Sequence, residues 1–384
     1  MQAMGEAMVA GLCEMQQEQE PGPEQALDPE PEPPLFGANF DAHNGGLSRA
    51  IPASLLAGFP LRAGGVDDSA GRSLAAACDV AAGQVLLVAE PWASVVMSEQ
   101  RKHYCAACHG ALPVAHRRIG KRGHAKNRRD AQQRAGSQDE DTACALHCAC
   151  EIHQYCSQRC KDRPGAAWHR QWTCAGVKSI GENRSCSQHA KTIAWLVLDT
   201  IVRGGCPRAG SNGGAGLSWE DGVLLLQSHV DHHSDGQVED DAVVAELVVA
   251  ALAAQRLASP SMPVSLAVVP REMVTALISC VQCNDFGTHG GNRMQSDSKQ
   301  IALGLYPAAA FFNHSCRPNV DRSFDENGNL ILTAMEPVAE GQPLTIMYGC
   351  LQNVFLEERQ RILREGHFFE CRCERCLDES ALMR

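Results

Sequence analysis

No stretch of this 384-residue chain is apolar for long enough to cross a bilayer: the longest apolar run, Ala242 to Ala254, is interrupted by Glu246 and is too short. The first twenty residues lack both a basic flank and a sustained apolar run, which argues against a secretory signal. Basic residues are nearly missing from 1–50, where nine acidic residues face Arg49 alone; this stretch carries -8 of the formal net charge of -11. Even cysteine spacing is missing too. The nineteen cysteines are an odd number and crowd into short-spaced clusters, which speaks against a disulfide framework and for metal binding in a reducing compartment. A soluble intracellular protein with no membrane contact is expected.

At this length two or three domains and a sizeable core are expected. Residues 15–35 are rich in Gln, Glu and Pro and have too little apolar surface to offset the entropy of ordering, so 1–50 reads as a disordered acidic tail. From Gly71 to Val88 the pattern predicts two short strands joined by an Ala-Gly turn. Cysteines then dominate from Cys105 to Cys174. Helical periodicity follows over Lys191 to Val202, Asp241 to Ala258 and Arg271 to Cys283, with a glycine-rich break from Gly204 to Gly216. Strand-like runs return at Ile301 to Tyr306, Leu330 to Met335 and Leu344 to Tyr348, before a polar helix from Leu356 to Glu365. The fold class expected is α+β: one β-rich domain interrupted by a metal module and a helical insertion.

Cys105, Cys108, Cys156, Cys160, His169 and Cys174 offer thiols and an imidazole at zinc spacing, with Cys150 beside them. A Cys-x-x-Cys pair puts two thiolates on one tight turn, within reach of one tetrahedral ion. With Tyr155-Cys156-Ser157 and Trp168-His169, this order resembles the MYND zinc finger, which binds two zincs in an interleaved pattern. The resemblance implies one site of Cys105, Cys108, Cys156 and Cys160, and another holding Cys150, His169 and Cys174. Three candidates, His147, Cys148 and Cys144, compete for the second site's fourth place. A basic insertion between Cys108 and Cys144, with seven Lys or Arg from Arg117 to Arg129, reads as a nucleic-acid contact, an import signal or a solvated loop; no aromatics interleave for base stacking.

Asn313-His314-Ser315-Cys316-Arg317-Pro318-Asn319, a strand ending on Tyr348, and a closing Cys371-x-Cys373-x-x-Cys376 complete the pattern. In this order they resemble the SET domain of protein lysine methyltransferases, and with the inserted finger the chain is similar to the SET and MYND domain-containing family. That resemblance implies a β-rich SET domain split by the finger and a helical insertion, then a zinc-binding post-SET segment. Its expected parts are 51–102 and 283–350 for SET, 103–176 for the finger, 177–282 for the helical insertion and 351–384 for post-SET.

The family implies that Gly71, Arg72, Ser73, Asn313, His314 and Phe369 hold S-adenosylmethionine. Asn284, Phe286, Tyr348 and His367 would line the lysine channel, with Tyr348 catalytic. Cys316, Cys371, Cys373 and Cys376 would share a third zinc, giving about three zinc ions in all. Ser73 stands where the family has a second glycine, His367 where a channel tyrosine is common, and Gln342-Pro343 where an acidic pair is usual. The helical C-terminal domain of larger relatives is expected to be missing. The expected activity is methyl transfer to lysines of histones or other proteins. The alternative is a MYND-centred adaptor that binds proline-rich peptides and carries a weak or inactive SET domain. A monomer in cytoplasm and nucleus is expected.

Overall fold

The computed structural model describes residues 50–64, 71–113, 145–206, 218–289 and 299–383. The acidic tail, the basic insertion, Cys144 and residues 207–217 of the glycine-rich break lie outside the described residues. After one turn, α1 (Ala53–Leu56), come β1 (Leu61–Ala63), β2 (Leu74–Ala76), β3 (Val85–Ala89) and β4 (Ala93–Val96). The cysteine-rich module contributes β5 (Leu146–His147), β6 (Gln154–Tyr155), α2 (Gln158–Lys161), α3 (Pro164–Trp172) and α4 (Cys174–Glu182). Helices α5 (Gln188–Gly205), α6 (Asp235–Ala258), α7 (Val264–Ala267) and α8 (Arg271–Asn284) follow. The chain then returns to strands: β7 (Asp285–His289), β8 (Gln300–Leu305), β9 (Asn313–His314), β10 (Val320–Phe324), β11 (Leu330–Ala334) and β12 (Thr345–Ile346). It closes on α9 (Leu356–His367) and α10 (Glu374–Leu382). No helix of the described residues is long and apolar enough to cross a membrane.

The strands form small sheets that join distant parts of the chain. β3 lies beside β11, which pairs with β10; β4 pairs with β8, which pairs with β7; and β1 pairs with β2. The two strands expected between Gly71 and Val88 exist but do not pair with each other. Their connecting turn is occupied by the far end of the domain: Val80 bridges Val338, and the Gly83 N–H donates to the Ala334 carbonyl at 2.8 Å. β3 is thereby steered along β11. Its Val85 and Val88 are exposed while the adjacent Leu86 and Leu87 both enter the core, a break in strict alternation that coincides with a register shift against β11 between Leu332 and Thr333.

The core is centred on α5, whose residues Lys191 to Val202 are all buried, between the β4–β8 sheet and helices α4, α6 and α8. A helix covered on all sides cannot show a polar stripe, which is why its apolar run is continuous. Each buried Leu or Ile there contributes roughly 1.5–3 kcal/mol. Helix starts lie earlier than periodicity alone suggests, because capping residues set them. Ser187 accepts from the Ala190 N–H at 3.0 Å, and Ser234 and Gln237 form a reciprocal capping box that begins α6 at Asp235.

The metal module runs into the helical part without a linker, since Cys174 is the first residue of α4. Gln255 of α6 fastens this junction. Its side-chain oxygen accepts from the Ala175 and Gly176 N–H groups at 2.8 and 3.2 Å, satisfying the start of α4, and its amide donates to the Gln171 carbonyl at 3.2 Å. Gly176 is needed for this approach, because a Cβ there would lie 2.9 Å from both the Ala251 carbonyl oxygen and Leu198 Cδ2.

Candidate active site and metal clusters

Three groups of four donors each have their ligand atoms within 4.8 Å of one another: Cys105, Cys108, Cys156, Cys160; Cys148, Cys150, His169, Cys174; and Cys316, Cys371, Cys373, Cys376. Zinc–sulfur bonds of 2.3 Å at tetrahedral angles place neighbouring sulfurs about 3.8 Å apart. The observed separations agree: Cys108–Cys156 3.7 Å, Cys156–Cys160 3.5 Å, Cys148–Cys174 3.7 Å, Cys316–Cys376 3.6 Å and Cys316–Cys371 3.9 Å. The donor sets therefore fit zinc in both chemistry and spacing. In each cluster one thiol is also favoured as thiolate. A hydrogen bond from Cys108 takes Cys105 down to about 4, one from Cys316 takes Cys371 down to about 3, and Cys150 and Cys174 push Cys148 well down.

The open place in the second cluster belongs to Cys148, whereas His147 on β5 is exposed. The His169 ring is oriented from behind: Nε2 faces Cys150 at 3.5 Å while Nδ1 meets the Thr173 hydroxyl at 2.9 Å. With all three clusters complete, elemental analysis of purified protein is expected to find close to three zinc ions per chain; two would mean that one cluster does not hold metal.

The third cluster adjoins a site built on a parallel strand pair. β9 and β12 are aligned Asn313 to Thr345 and His314 to Ile346, and the Ser315 N–H donates to the Ile346 carbonyl at 2.9 Å. Asn319 fixes this pairing from the side, accepting from the Thr345 N–H at 2.9 Å and donating to the Pro343 carbonyl at 2.9 Å. The strand expected from Leu344 to Tyr348 is only Thr345–Ile346, and Tyr348 lies two residues beyond it. There its backbone N–H donates to His314 Nδ1 at 2.9 Å and its hydroxyl donates to the Phe312 carbonyl at 3.0 Å.

The first of these bonds fixes the His314 tautomer. A backbone N–H can only donate, so Nδ1 accepts, and the neutral ring carries its proton on Nε2, 3.2 Å from Cys316 Sγ. One imidazole thus bridges a cluster thiol and the backbone of Tyr348. Around it, Phe369 lies 5.9 Å from the His314 ring and edge-on to Tyr348 at 6.3 Å, and His367 lies 4.9 Å from Tyr348. Burial pushes the Tyr348 phenol above its ordinary range, against the pull of Arg322, so it stays protonated. Burial, then His314 and His229, bring His367 down to about 4, leaving a neutral ring at physiological pH.

The remaining candidates fall in two places. Gly71 has φ +66°, Arg72 stacks its guanidinium 4.8 Å over the Phe311 ring and donates to the Leu225 carbonyl at 2.5 Å, and the Ser73 carbonyl accepts from the Gly64 N–H at 2.8 Å. Phe286 is buried, edge-on to Tyr306 at 5.7 Å, whereas the Asn284 amide is engaged by the carbonyls of Gln227 and Cys280 at 2.8 and 2.7 Å. Asn284 thus ties α8 to the segment before α6.

Two features of the site, the Arg322–Asp285 pair and the Phe368 turn, were not among the sequence candidates. Arg322 on β10 donates to the Gly349 carbonyl at 3.1 Å and stands 5.9 Å from the Phe286 ring; burial lowers it to about 10. Asp285, half-buried on β7, is pushed up to about 7 by desolvation, opposed by Arg322. No motif marks either residue. Phe368 is the second: at φ +60° it turns the chain between His367 and Phe369, stacked on His233 at 5.5 Å. His233 is itself held between Asp241 at 2.8 Å and Ser279 at 3.0 Å. The helical insertion therefore supports the turn that presents both aromatic-site residues.

A family model of the SET domain matches residues 71–349, most of the chain, and the chain belongs to the SET domain family. Within that family it is similar to SET and MYND domain-containing proteins. It is 26% identical over 319 residues to the histone-lysine N-methyltransferase ASHR2 of Arabidopsis thaliana, covering 80% of this chain and 69% of that protein. It is 26% identical over 247 residues to the histone-lysine N-methyltransferase SMYD1 of Homo sapiens, covering 59% of this chain and 43% of that one. A SET and MYND domain-containing protein of Dictyostelium discoideum is 30% identical over 105 residues, 27% of this chain and 24% of its own length. The chain thus spans about two thirds of the plant relative and less than half of the other two.

Proposed function

We propose that the protein transfers a methyl group from S-adenosylmethionine to the side-chain amine of a lysine in a histone or another protein. The observation that carries this reading is the double tether of Tyr348, by its N–H to His314 and by its hydroxyl to the Phe312 carbonyl. S-adenosylmethionine, when bound, supplies an electrophilic methyl on a cationic sulfur. The residues proposed to hold it are Gly71, Arg72, Ser73, Asn313, His314 and Phe369. The fit rests on their chemistry. Among the described residues nothing lies within 4 Å of where a Cβ at Gly71 would project, so its backbone is open to a close neighbour. The Phe312 carbonyl and the Tyr348 hydroxyl, 3.0 Å apart, offer two oxygens that would suit a dispersing positive charge.

In this reading Tyr348 orients the amine. Its hydroxyl proton is committed to Phe312, so its remaining lone pairs accept from an amine N–H and aim the nitrogen lone pair at the methyl. Burial keeps its phenol protonated, so it is not read as a general base. The amine must arrive neutral, and desolvation beside the Arg322 cation favours that form. Phe286 and neutral His367 are the proposed walls for the lysine stem.

The test is transfer of labelled methyl from S-adenosylmethionine to core histones and to demethylated cell extract, with calorimetry of cofactor binding. Incorporation that stops when the target lysines are blocked is expected. No transfer together with no cofactor binding would overturn the enzyme reading and leave the zinc-built adaptor.

A further inference from the structure

We propose that Arg359 is the countercharge of the Cys316, Cys371, Cys373 and Cys376 cluster and sets how tightly that cluster keeps zinc. The inference rests on the zinc reading of the cluster and not on methyl transfer. Arg359 sits in the first turn of α9, on the face it shares with Leu356 and Leu363, and its side chain is 0% exposed. An arginine cannot shed its charge on burial, so a fully buried guanidinium needs anionic partners.

Its bonds show where those partners are. Nη1 donates to the Val354 carbonyl at 2.7 Å, which is dipolar but uncharged. Nη2 donates to Glu379 at 2.8 Å and faces Cys376 Sγ at 3.6 Å, while Nε is buried without a hydrogen-bond partner. Glu379 does not neutralise Arg359 alone: it is one third exposed and is shared with Arg375, which reaches its other oxygen at 2.8 Å. The further negative charge lies in the thiols. Cys316, Cys371 and Cys376 are buried, and four thiolates around one divalent ion carry a formal charge of -2. Among the described residues, Arg359 is the arginine whose hydrogen bonds reach a sulfur of any of the three clusters. Metal-thiolate charge and guanidinium charge thus lie in one dry compartment, each lowering the cost of burying the other. An N–H directed at a bound thiolate also stabilises that ligand against dissociation.

The full chain loaded with three zinc ions is challenged with excess EDTA at fixed pH. Zinc release is followed by elemental analysis, and the exposed thiols are mapped by N-ethylmaleimide labelling and mass spectrometry. Arg359→Met keeps the length of the side chain and removes its charge; the third cluster is expected to lose zinc about 10- to 100-fold faster. Labelling should appear at Cys316, Cys371, Cys373 and Cys376, with the other two clusters protected. Arg359→Lys, which keeps the charge, should recover most of the retention. Wild-type release from Arg359→Met overturns the proposal. So does release from all three clusters together, or equal loss in the Lys variant, since either would mark Arg359 as packing alone. Wild-type protein that never binds zinc at these four cysteines would instead sink the zinc reading itself.

Discussion

Tyr348→Phe is expected to lower methyl transfer by about 10²-fold, the size of effect that follows from misplacing a reacting group by around an ångström. The ring remains and its contacts with His314, His367 and Phe369 are kept, so folding and zinc content should stay at wild-type levels. What is lost is the hydroxyl that donates to the Phe312 carbonyl at 3.0 Å and, in the proposed reaction, accepts from the amine. The loss should fall on kcat more than on cofactor affinity, which calorimetry reads separately. Transfer at the wild-type rate would show that Tyr348 is not the orienting group.

Cys316→Ser is expected to remove the third zinc and to cut methyl transfer by about 10²-fold, the upper end of what a lost metal-site partner costs. The thiol does two things at once. It stands 3.6 and 3.9 Å from Cys376 and Cys371 in the cluster, and it faces the Nε2 proton of His314 at 3.2 Å. His314 in turn accepts from the Tyr348 N–H, so a change at the cluster reaches the candidate catalytic tyrosine through one ring. The tail is also tied to α9 by Gln360, which exchanges two hydrogen bonds with Cys371, and to the loop by Arg317 and Glu374 at 2.9 Å. Cys373→Ser makes the comparison: it removes a ligand without touching His314. If Cys316→Ser lost zinc but kept full transfer, the link between cluster and site would be refuted.

Much of this arrangement was legible in the chain. The Cys-x-x-Cys pair, Tyr155-Cys156, Cys160, His169 and the last three cysteines announce metal because core packing has no use for such spacing. The long helices are legible from periodicity, although Ser187 and Ser234 move two starts toward the amino terminus. The fourth ligand of the second cluster was not legible. His147 and Cys148 are adjacent, and only the turn of the β5–β6 hairpin decides which of them points inward. Arg322, Asp285 and Phe368 carried no motif; their importance lies in the company they keep across the fold.

By itself, then, the chain determined its donor inventory, its helices and the Asn313-His314 to Tyr348 order, because these depend on residue type and short spacing. Tertiary structure alone decided that β3 joins β11 rather than β2, that His314 carries its proton toward Cys316, and that a buried arginine lies against the third cluster. Those are contacts between residues far apart in sequence. Their energies come from burial and charge pairing that exist only once the chain has closed on itself.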